Sequence, residues 1–409
     1  MGTINHSAPH RRLPYLERVH GHLNVPGAVR SLLGKTWFWL IIALLCFGVL
    51  VKLNDPAVSG ESAAEVGGRR RLTAAVSEPI LVSYSFFEKD AIQRDNMKYF
   101  IATGFGGSKA FDAPRNTDFV FVVSGGICTP CNAILPGLKA DWRIKYMPEL
   151  THVYTSDGIF LLYRRENEGM DFAAHNVTLQ WMGVNNWYRK YKYFIFLNSS
   201  VRGPFYPSYM PPGWQWTQAF TDRLVGDIKL VGSSLVCLPE VDAGGPGPKV
   251  ESWAFAVDKT AMDLLIGSGV FYTRECKLCD DGVVVMGEYG LSKAVMEGGY
   301  NIATLMSMYP IGLDWKDQRH WHCNNNAHPS RHGTYDGISM HPFETVFIKA
   351  SWHVGEPHLS TYTKWFMSQA TLEDTTAGTF KESLYRYAIS PQAQEPNTAS
   401  ECFNIKTTA

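Results

Sequence analysis

Cysteines and histidines are the residues whose types and spacing most directly suggest chemistry. Two CxxC pairs occur, CTPC at Cys128–Cys131 and CKLC at Cys276–Cys279. A CxxC pair at the start of a helix can carry out thiol–disulfide exchange through a reactive thiolate, and two such pairs together can form a zinc site with four cysteine ligands. Because the two pairs are far apart in the sequence, we do not expect zinc to bind them.

The segment HWHCNNNAHPSRH contains four histidines that could ligate a metal ion: His320, His322, His328 and His332. Neutral imidazole is a common metal ligand. A polar, Asn-rich stretch with this irregular spacing is more typical of a surface loop. We therefore interpret the segment as a loop.

The composition excludes several classes of protein. The 409 residues carry 38 basic and 38 acidic side chains, and 13% of residues are aromatic. A protein held to nucleic acid by charge needs a basic surface, and a disordered chain needs few aromatic residues. We therefore expect a large packed core and no nucleic-acid partner. The mean hydropathy of −0.13 argues against several membrane spans.

One apolar segment near the N-terminus is long enough to cross a membrane. Residues 36–53 contain 18 residues with one charge, Lys52, and a helix of that length covers roughly 27 Å. Residues 1–35 carry five basic side chains and one acidic one. The excess of positive charge predicts a cytosolic tail at 1–35, a signal anchor at 36–53 and a lumenal remainder. A cleaved signal peptide is the alternative.

The residues after the span predict a stem followed by an α/β unit. Residues 54–77 are small and polar, as in a flexible stem. Apolar runs typical of buried strands then occur at 79–87, 119–123, 151–163 and 193–197. Segments long enough for helices separate them, including 132–142 and 172–188. This alternation predicts a mostly parallel sheet with helices on both faces. We place the unit at 78–360 and a partly disordered extension at 361–409.

The order of motifs after the third and fourth strands resembles a known family. The matching positions are Asn167, Gly169, Asp171 and Asn176, then Leu197, Asn198, Ser199, Ser200, Gly203 and Pro204. This order is similar to the nucleotide-sugar half of family 2 and rhamnan-synthesis-like glycosyltransferases with a GT-A, Rossmann-like fold. Segments 252–265 and 287–302 resemble the acceptor half. The resemblance implies a sugar transferred from a nucleotide sugar to a glycan or glycoprotein acceptor.

The resemblance also implies a catalytic carboxylate. Glu288 lies at the position that matches the family's catalytic carboxylate. There it would act as the base that deprotonates the acceptor hydroxyl in an inverting reaction. Asp281 or Asp280 could take this role instead. An acidic residue is also favoured at the start of a helix for purely structural reasons.

The donor site implied by the resemblance lacks one expected feature. Family members bind Mg²⁺ or Mn²⁺ through a DxD-type motif, but the corresponding turn, Asn198 to Ser200, has no carboxylate. A divalent metal cofactor, Mn²⁺ or Mg²⁺, stays open, but the missing motif argues against it. Arg202 or Lys349 could neutralise the diphosphate instead. The other candidate donor-binding residues are Ser83 and Tyr84, which we place at the end of the first strand, together with Asn167 and Asp171.

Two tryptophans are candidates for binding the acceptor. Trp214 and Trp216 follow a Pro-rich stretch and could stack on sugar faces. Asn176 and Asn198 lie in glycosylation sequons, and a glycan on Asn198 would contradict its donor role. Together with the predicted anchor, these features favour a single-pass type II enzyme of the Golgi or endoplasmic reticulum membrane.

Two other classes of function stay open. The strand at 119–123 followed by CTPC resembles a thioredoxin active site, which would make the chain a thiol–disulfide oxidoreductase. The missing DxD motif would fit a catalytically inactive glycan-binding protein. Cys46 lies in the predicted span, so the other seven cysteines, an odd number, are predicted to be lumenal. Disulfides are expected there, with one thiol left over and no connectivity deducible from the sequence.

Overall fold

The protein is described by a computed structural model. The described residues are 78–372, except for 106–110, 112, 185, 186, 242, 243, 275, 277 and 355. The predicted cytosolic tail, membrane span and stem therefore lie outside the described residues. Among the residues that are described, no helix is both long enough and apolar enough to cross a membrane.

Most strands belong to one nine-stranded mixed sheet with the order β11-β7-β10-β6-β1-β2-β5-β4-β3. The strands are β1 Ile80–Phe87, β2 Thr117–Ser124, β3 Lys139–Ala140, β4 Leu150–Ser156, β5 Ile159–Arg164, β6 Tyr193–Asn198, β7 Ile228–Gly232, β8 Leu235–Leu238, β9 Gly247–Val250, β10 Ala254–Asp258 and β11 Asn301–Thr304. Strands β4 and β10 run in the opposite direction to the other seven strands of this sheet. Strands β8 and β9 form a separate antiparallel pair.

Helices connect these strands. The α-helices are α1 Ala91–Thr103, α2 Met170–Val184, α3 Gln218–Thr221, α4 Lys259–Ser268, α5 Gly290–Glu297, α6 Pro342–Thr345 and α7 His358–Leu372. A π-helical segment, Val283–Tyr289, leads directly into α5. Short 3₁₀ turns occur at Pro130–Ala133, Leu135–Gly137, Trp142–Tyr146, Trp187–Lys190, Gln318–His320, Cys323–Asn326 and Ala350–Trp352.

The sheet is covered on both faces, as the sequence predicts. In β1, alternate side chains face opposite ways, so Tyr84 and Phe86 join one buried cluster while Leu81 joins the other. The first cluster includes Phe100 of α1 and Phe366 of α7. The second includes Phe172 of α2 together with side chains of α4 and α5. Two apolar faces on one sheet explain why the strands read as continuous apolar runs.

Strand β1 lies at the topological switch point of the sheet, where later strands are added first on one side and then on the other. Strands β2 and β5 extend the sheet on one side of β1, and β6 and β10 extend it on the other. In open α/β sheets, ligands bind beyond the carboxyl ends of the strands at such a switch point. The carboxyl ends of β1 and β6 therefore indicate where to look for a site.

Several elements differ from the sequence prediction. The apolar run at 151–163 forms the two strands β4 and β5, joined by a tight turn. The predicted helix at 132–142 is wrong, and 3₁₀ turns occur there because Pro136 lacks the amide hydrogen that a longer helix needs. Helix α7 crosses the predicted domain boundary at 360, and its Phe366 packs against Phe205 with ring centroids 5.5 Å apart.

Six cysteines form three disulfides: Cys128–Cys131, Cys237–Cys323 and Cys276–Cys279. Two of these bonds close within the CxxC pairs. The third joins β8 to the histidine-rich segment. Cys46 and Cys402 lie outside the described residues. The expectation of disulfides is therefore met among the described cysteines.

Candidate functional site

The turn after β6 lies at the carboxyl edge of the sheet. Asn198 closes the turn, because its Oδ1 accepts a 3.0 Å hydrogen bond from the backbone amide of Ser200. The Ser199 carbonyl accepts a 2.9 Å hydrogen bond from Asn96 in α1. Asn198 also pairs with Ser85 of β1 in the sheet register. The turn is thus held at the switch point of the sheet.

Asp171 joins this turn from helix α2. Its Oδ2 accepts a 2.8 Å hydrogen bond from Asn198 Nδ2. Burial raises the pKa of Asp171, and the charge of Glu288 raises it further, while the hydrogen bond from Asn198 lowers it. The structure therefore brings together two of the predicted donor-binding residues, which are separated by 27 positions in the sequence.

The loop before α2 has a conformation that requires glycine. Gly169 has a φ of +67°, and a Cβ at this position would lie 2.5 Å from the carbonyl oxygen of Thr273. Arg164, at the end of β5, donates a 2.8 Å hydrogen bond to the Met170 carbonyl and a weaker one, 3.4 Å long, to Asn167 Oδ1. Asn167 therefore helps to shape the loop that presents Asp171.

Glu288 lies next to this region but is already paired. It belongs to the π-helical segment and forms an ion pair with Lys249 of β9. The Lys249 side chain is 4% exposed, whereas that of Glu288 is 29% exposed. A Cβ on Gly287 would lie 2.7 Å from the Phe172 ring, so the π-helical segment packs tightly against the start of α2. Such π-helical insertions occur frequently at functional sites.

A second carboxylate, Glu251, was missed by sequence reasoning. It directly follows β9, is 4% exposed and accepts hydrogen bonds from the hydroxyls of Ser234 and Ser330. His328 Nδ1 lies 3.5 Å from Glu251 Oε1. Burial alone would raise the pKa of Glu251, but His328, the charge of Lys349 and the Ser234 hydroxyl together lower it to about 2.

Lys349 links the two carboxylate centres. Its positive charge lowers the pKa of both Asp171 and Glu251. Two residues further on, the backbone amide of Ser351 donates a 3.1 Å hydrogen bond to the Ser200 carbonyl. Its Nζ lies 3.8 Å from the centroid of the Trp352 ring. Trp352 also contacts His328, with ring centroids 5.9 Å apart, and Arg331, at 5.7 Å from the ring centroid. The chain around Lys349 therefore lies beside the Asn198 turn.

Ser83 and Tyr84 lie in the middle of β1, not at its end, because the strand continues to Phe87. Both residues are buried. The Ser83 hydroxyl is hydrogen bonded to His175 Nδ1 at 2.9 Å and to Thr178 Oγ1 at 2.7 Å. The structure therefore places both side chains in the core beneath the site.

The Arg202 and Asp281 side chains are paired with residues other than Asp171 and Asn198. Arg202 Nε donates a 2.9 Å hydrogen bond to Asn96 Oδ1, and Nη1 donates to Thr363 Oγ1 at 3.4 Å, so the guanidinium faces α1 and α7. Asp281 forms a 2.9 Å ion pair with Arg274 in which both side chains are exposed. Neither side chain contacts Asp171 or Asn198.

The two tryptophans proposed for the acceptor occupy different environments. Trp216 is 2% exposed, and its indole nitrogen donates a 2.9 Å hydrogen bond to the Gly104 carbonyl. The predicted stacking role of Trp216 therefore does not fit its burial in the core. Trp214 is half-buried and packs against Tyr206 with ring centroids 5.3 Å apart.

Within the described residues, no group of three or more His, Cys, Asp or Glu side chains is placed to hold a metal ion. The four clustered histidines have different surroundings. His328 meets Glu251, His320 Nδ1 lies 2.7 Å from the Asp314 carbonyl, and His332 is hydrogen bonded to Ser339. The segment forms a loop, as its composition predicts.

No protein-family model matches the chain, and no curated protein matches it. The structure is similar to that of the mannosyltransferase PcManGT from Pyrobaculum calidifontis in complex with GDP-Man and Mn²⁺. That similarity has 12% identity and a TM-score of 0.33, over 78% of this chain and 81% of that chain.

Two further solved glycosyltransferases are similar at a comparable level. One is involved in the glycosylation of the major capsid of PBCV-1, with 12% identity and a TM-score of 0.24 over 47% of this chain. The other is the bifunctional WbbM, with 10% identity and a TM-score of 0.34 over 78% of this chain. The matches cover 65% and 53% of those two chains.

Proposed function

We propose that the protein is a glycosyltransferase that moves a sugar from a nucleotide-sugar donor to a glycan or glycoprotein acceptor. The observation that carries this proposal is the hydrogen bond between Asp171 and Asn198 at the carboxyl edge of the sheet. It joins the two motifs whose order resembles the donor half of these enzymes. Lys349 adds positive charge of the kind that a departing diphosphate requires.

The residues of the site have complementary roles in this proposal. Asp171, Asn198 and Ser200 offer hydrogen-bonding groups for the donor, and Lys349 supplies positive charge for the departing diphosphate. Asn167 acts by shaping the loop that carries Asp171. Arg202 supports the turn through Asn96, which bonds both the Arg202 side chain and the Ser199 carbonyl. Inversion at the sugar carbon remains part of the proposal.

The proposed location follows from the N-terminal sequence. A cytosolic tail, an anchor at 36–53 and a stem would place the catalytic unit in the lumen of the Golgi or endoplasmic reticulum. Disulfides fit an oxidising compartment. Attaching a glycosylation reporter to either terminus of the full chain tests the orientation. Glycosylation of the N-terminal reporter alone would show the opposite orientation and contradict the proposal.

The activity is tested with the full chain in detergent and a panel of UDP- and GDP-sugars, by following release of UDP or GDP. Asp171→Asn keeps the shape and an acceptor for Asn198 but removes the charge. We expect this change to lower turnover about 100-fold or more, a typical effect of losing a catalytic-site charge. The matched control is Asp157→Asn, because Asp157 is exposed in the β4–β5 turn. No turnover of any donor would reject the proposal.

The role of a metal ion is tested separately with EDTA. If Lys349 neutralises the diphosphate, EDTA leaves turnover unchanged and Lys349→Met lowers it. Complete loss in EDTA that is restored by Mn²⁺ or Mg²⁺ would assign that role to a metal ion.

The glycosylation state of Asn198 provides another test. Its Nδ2, the atom that would carry a glycan, donates a hydrogen bond to Asp171. We therefore expect peptide mass spectrometry to find Asn198 unmodified in active protein. A fully occupied Asn198 in active protein would contradict its donor role.

A further inference from the structure

Of the three carboxylates predicted as candidates for the catalytic base, two are held in ion pairs and the third, Asp280, is exposed. Glu288 is paired with Lys249, and Asp281 is paired with Arg274. A carboxylate that is held by a cation must break that contact before it can come within hydrogen-bond reach of an acceptor hydroxyl. The site therefore calls for another group that can take a proton from the acceptor hydroxyl.

Glu251 and His328 have the arrangement of a carboxylate that orients an imidazole. Glu251 Oε2 is held by the hydroxyls of Ser234 and Ser330, which leaves Oε1 facing His328 Nδ1 at 3.5 Å. The Nδ1 atom is buried and has no hydrogen-bond partner among the described residues. Because Glu251 Oε1 lies beside it, a proton on Nδ1 would point towards this carboxylate. Contacts of this kind are often long before substrate binds and shorten in the reactive complex.

The second ring nitrogen of His328 is available for chemistry. No described residue is hydrogen bonded to Nε2, and the ring packs edge-on against Trp352, which is 39% exposed. The charged groups around the imidazole are Glu251 from the end of β9, Lys349 and Arg331. With Nδ1 protonated, Nε2 carries a lone pair and can accept a proton.

The loop that carries His328 is fixed at both ends. The Cys237–Cys323 disulfide ties its beginning to β8. Asn324 Nδ2 donates 2.8 Å hydrogen bonds to the carbonyls of Ala327 and Thr334, which lie on either side of His328. A base must be held in a defined position to be effective, and these contacts provide that position.

We propose that His328 is the catalytic base of the transfer reaction and that Glu251 positions it. This inference rests on the proposed glycosyltransferase function. The acceptor oxygen forms a bond to the sugar carbon as its proton moves to Nε2. The bond from that carbon to the diphosphate oxygen breaks, and its electron pair leaves with the nucleoside diphosphate. The imidazolium then releases the proton to solvent, which balances the reaction.

The test uses the full chain in detergent, the nucleotide sugar that it turns over fastest, and either water or sodium azide as the nucleophile. Azide has no proton to lose, so it does not need a base. We expect His328→Gly to lower turnover with water about 100-fold to 10,000-fold, the range for losing a general base. Turnover with azide should remain within about threefold of the unaltered protein.

Glu251→Gln tests the positioning role. The glutamine side chain can still accept hydrogen bonds from the serines but cannot stabilise an imidazolium by charge. We expect kcat with water to fall at least about tenfold while KM for the donor stays unchanged. The rate with azide should be preserved. An equal fall in both rates would show that Glu251 has only a structural role.

The outcomes separate the inference from the proposed function. No turnover by the unaltered chain removes the proposed function, and this inference falls with it. Turnover by the unaltered chain with an unchanged rate in His328→Gly, or an equal loss with azide and water, rejects only the role of His328. His328→Gln is the second variant, and thermal unfolding checks its fold. His322→Gly is the matched control, because His322 is an exposed histidine in the same segment.

Discussion

The buried histidine in helix α2 should make the protein sensitive to acid. His175 lies one turn after Asp171 and is 1% exposed. Its Nδ1 is hydrogen bonded to Ser83 at 2.9 Å, and its ring contacts Phe196 with centroids 4.9 Å apart. Burial, aided by the charge of Arg164, lowers the pKa of His175 to about 3. The folded protein therefore keeps this imidazole neutral under conditions in which the unfolded chain protonates it.

The size of the effect follows from this difference in pKa. The free imidazole titrates near pH 6.5, and below that value each pH unit lowers the free energy of unfolding by about 1.4 kcal/mol. The sign is destabilising because only the unfolded chain takes up the proton. From about pH 7.5 to pH 5 the loss is about 2 kcal/mol. Glu251 has a pKa of about 2, so its contribution to the free energy of unfolding is lost mainly below pH 5, outside the range compared.

The assay compares His175→Phe with the unaltered chain. Phenylalanine keeps a ring against Phe196 and cannot titrate. Guanidinium unfolding under non-reducing conditions at pH 7.5 and pH 5 should show that the unaltered chain loses about 2 kcal/mol more than the variant. His152→Gln is the control, since His152 is exposed and should leave the pH dependence unchanged. An equal pH dependence in His175→Phe and the unaltered chain would refute the reasoning.

Four other predictions follow from the contacts described above. Glu288→Gln leaves Lys249 buried without its counter-charge and should lower the free energy of unfolding by about 3 kcal/mol. Lys249→Met leaves the more exposed Glu288 without a partner and should lower the free energy of unfolding by less. Guanidinium unfolding of both variants and of the double variant checks this difference. Gly169→Ala places a methyl group against a backbone carbonyl and should cost about 1–3 kcal/mol and reduce donor turnover, as unfolding and nucleotide release would show. Trp216→Ala should cost about 3–5 kcal/mol in the same unfolding assay, because it removes a buried indole. Cys128→Ser should retain sugar transfer, since neither Cys128 nor Cys131 is hydrogen bonded to Asp171, Asn198 or Lys349 in the described part of the chain; complete loss of transfer with an intact fold would contradict this expectation.

Much of the fold could be predicted because the strands are short, apolar and β-branched or aromatic. The run at 193–197 became β6, and the run at 119–123 became the centre of β2. The turn inside 151–163 was missed although Ser156, Asp157 and Gly158 interrupt the apolar residues there. An Asp-Gly pair between two strand-like runs is a hairpin signal, and β4 does pair with β5 on either side of it. Helix α7 was missed because its amphipathic character is weak, and its Phe366 finds a partner only in the folded core.

The site was predictable where a motif ends a strand and was not predictable elsewhere. Asp171 and Asn198 could be placed near each other because both occur next to strand ends at one edge of a parallel sheet. The partners of Glu288 and His328 come from β9 and from the residue after it, whose position no local pattern reveals. The buried indole nitrogen of Trp216 is paired with the carbonyl of Gly104, which is distant in the sequence. No local pattern therefore distinguished the burial of Trp216 from that of Trp214.

Lys349 explains how the donor and acceptor halves of the proposed site can act together. It follows Ile348, whose backbone is hydrogen bonded to that of Arg202 in both directions at 2.9 Å. This pairing sets Lys349 beside the donor turn, while its charge also reaches Glu251. In the proposed reaction, a diphosphate that engages Lys349 would therefore be held between the donor turn and the Glu251–His328 pair, so that one lysine orients the donor relative to the proposed base.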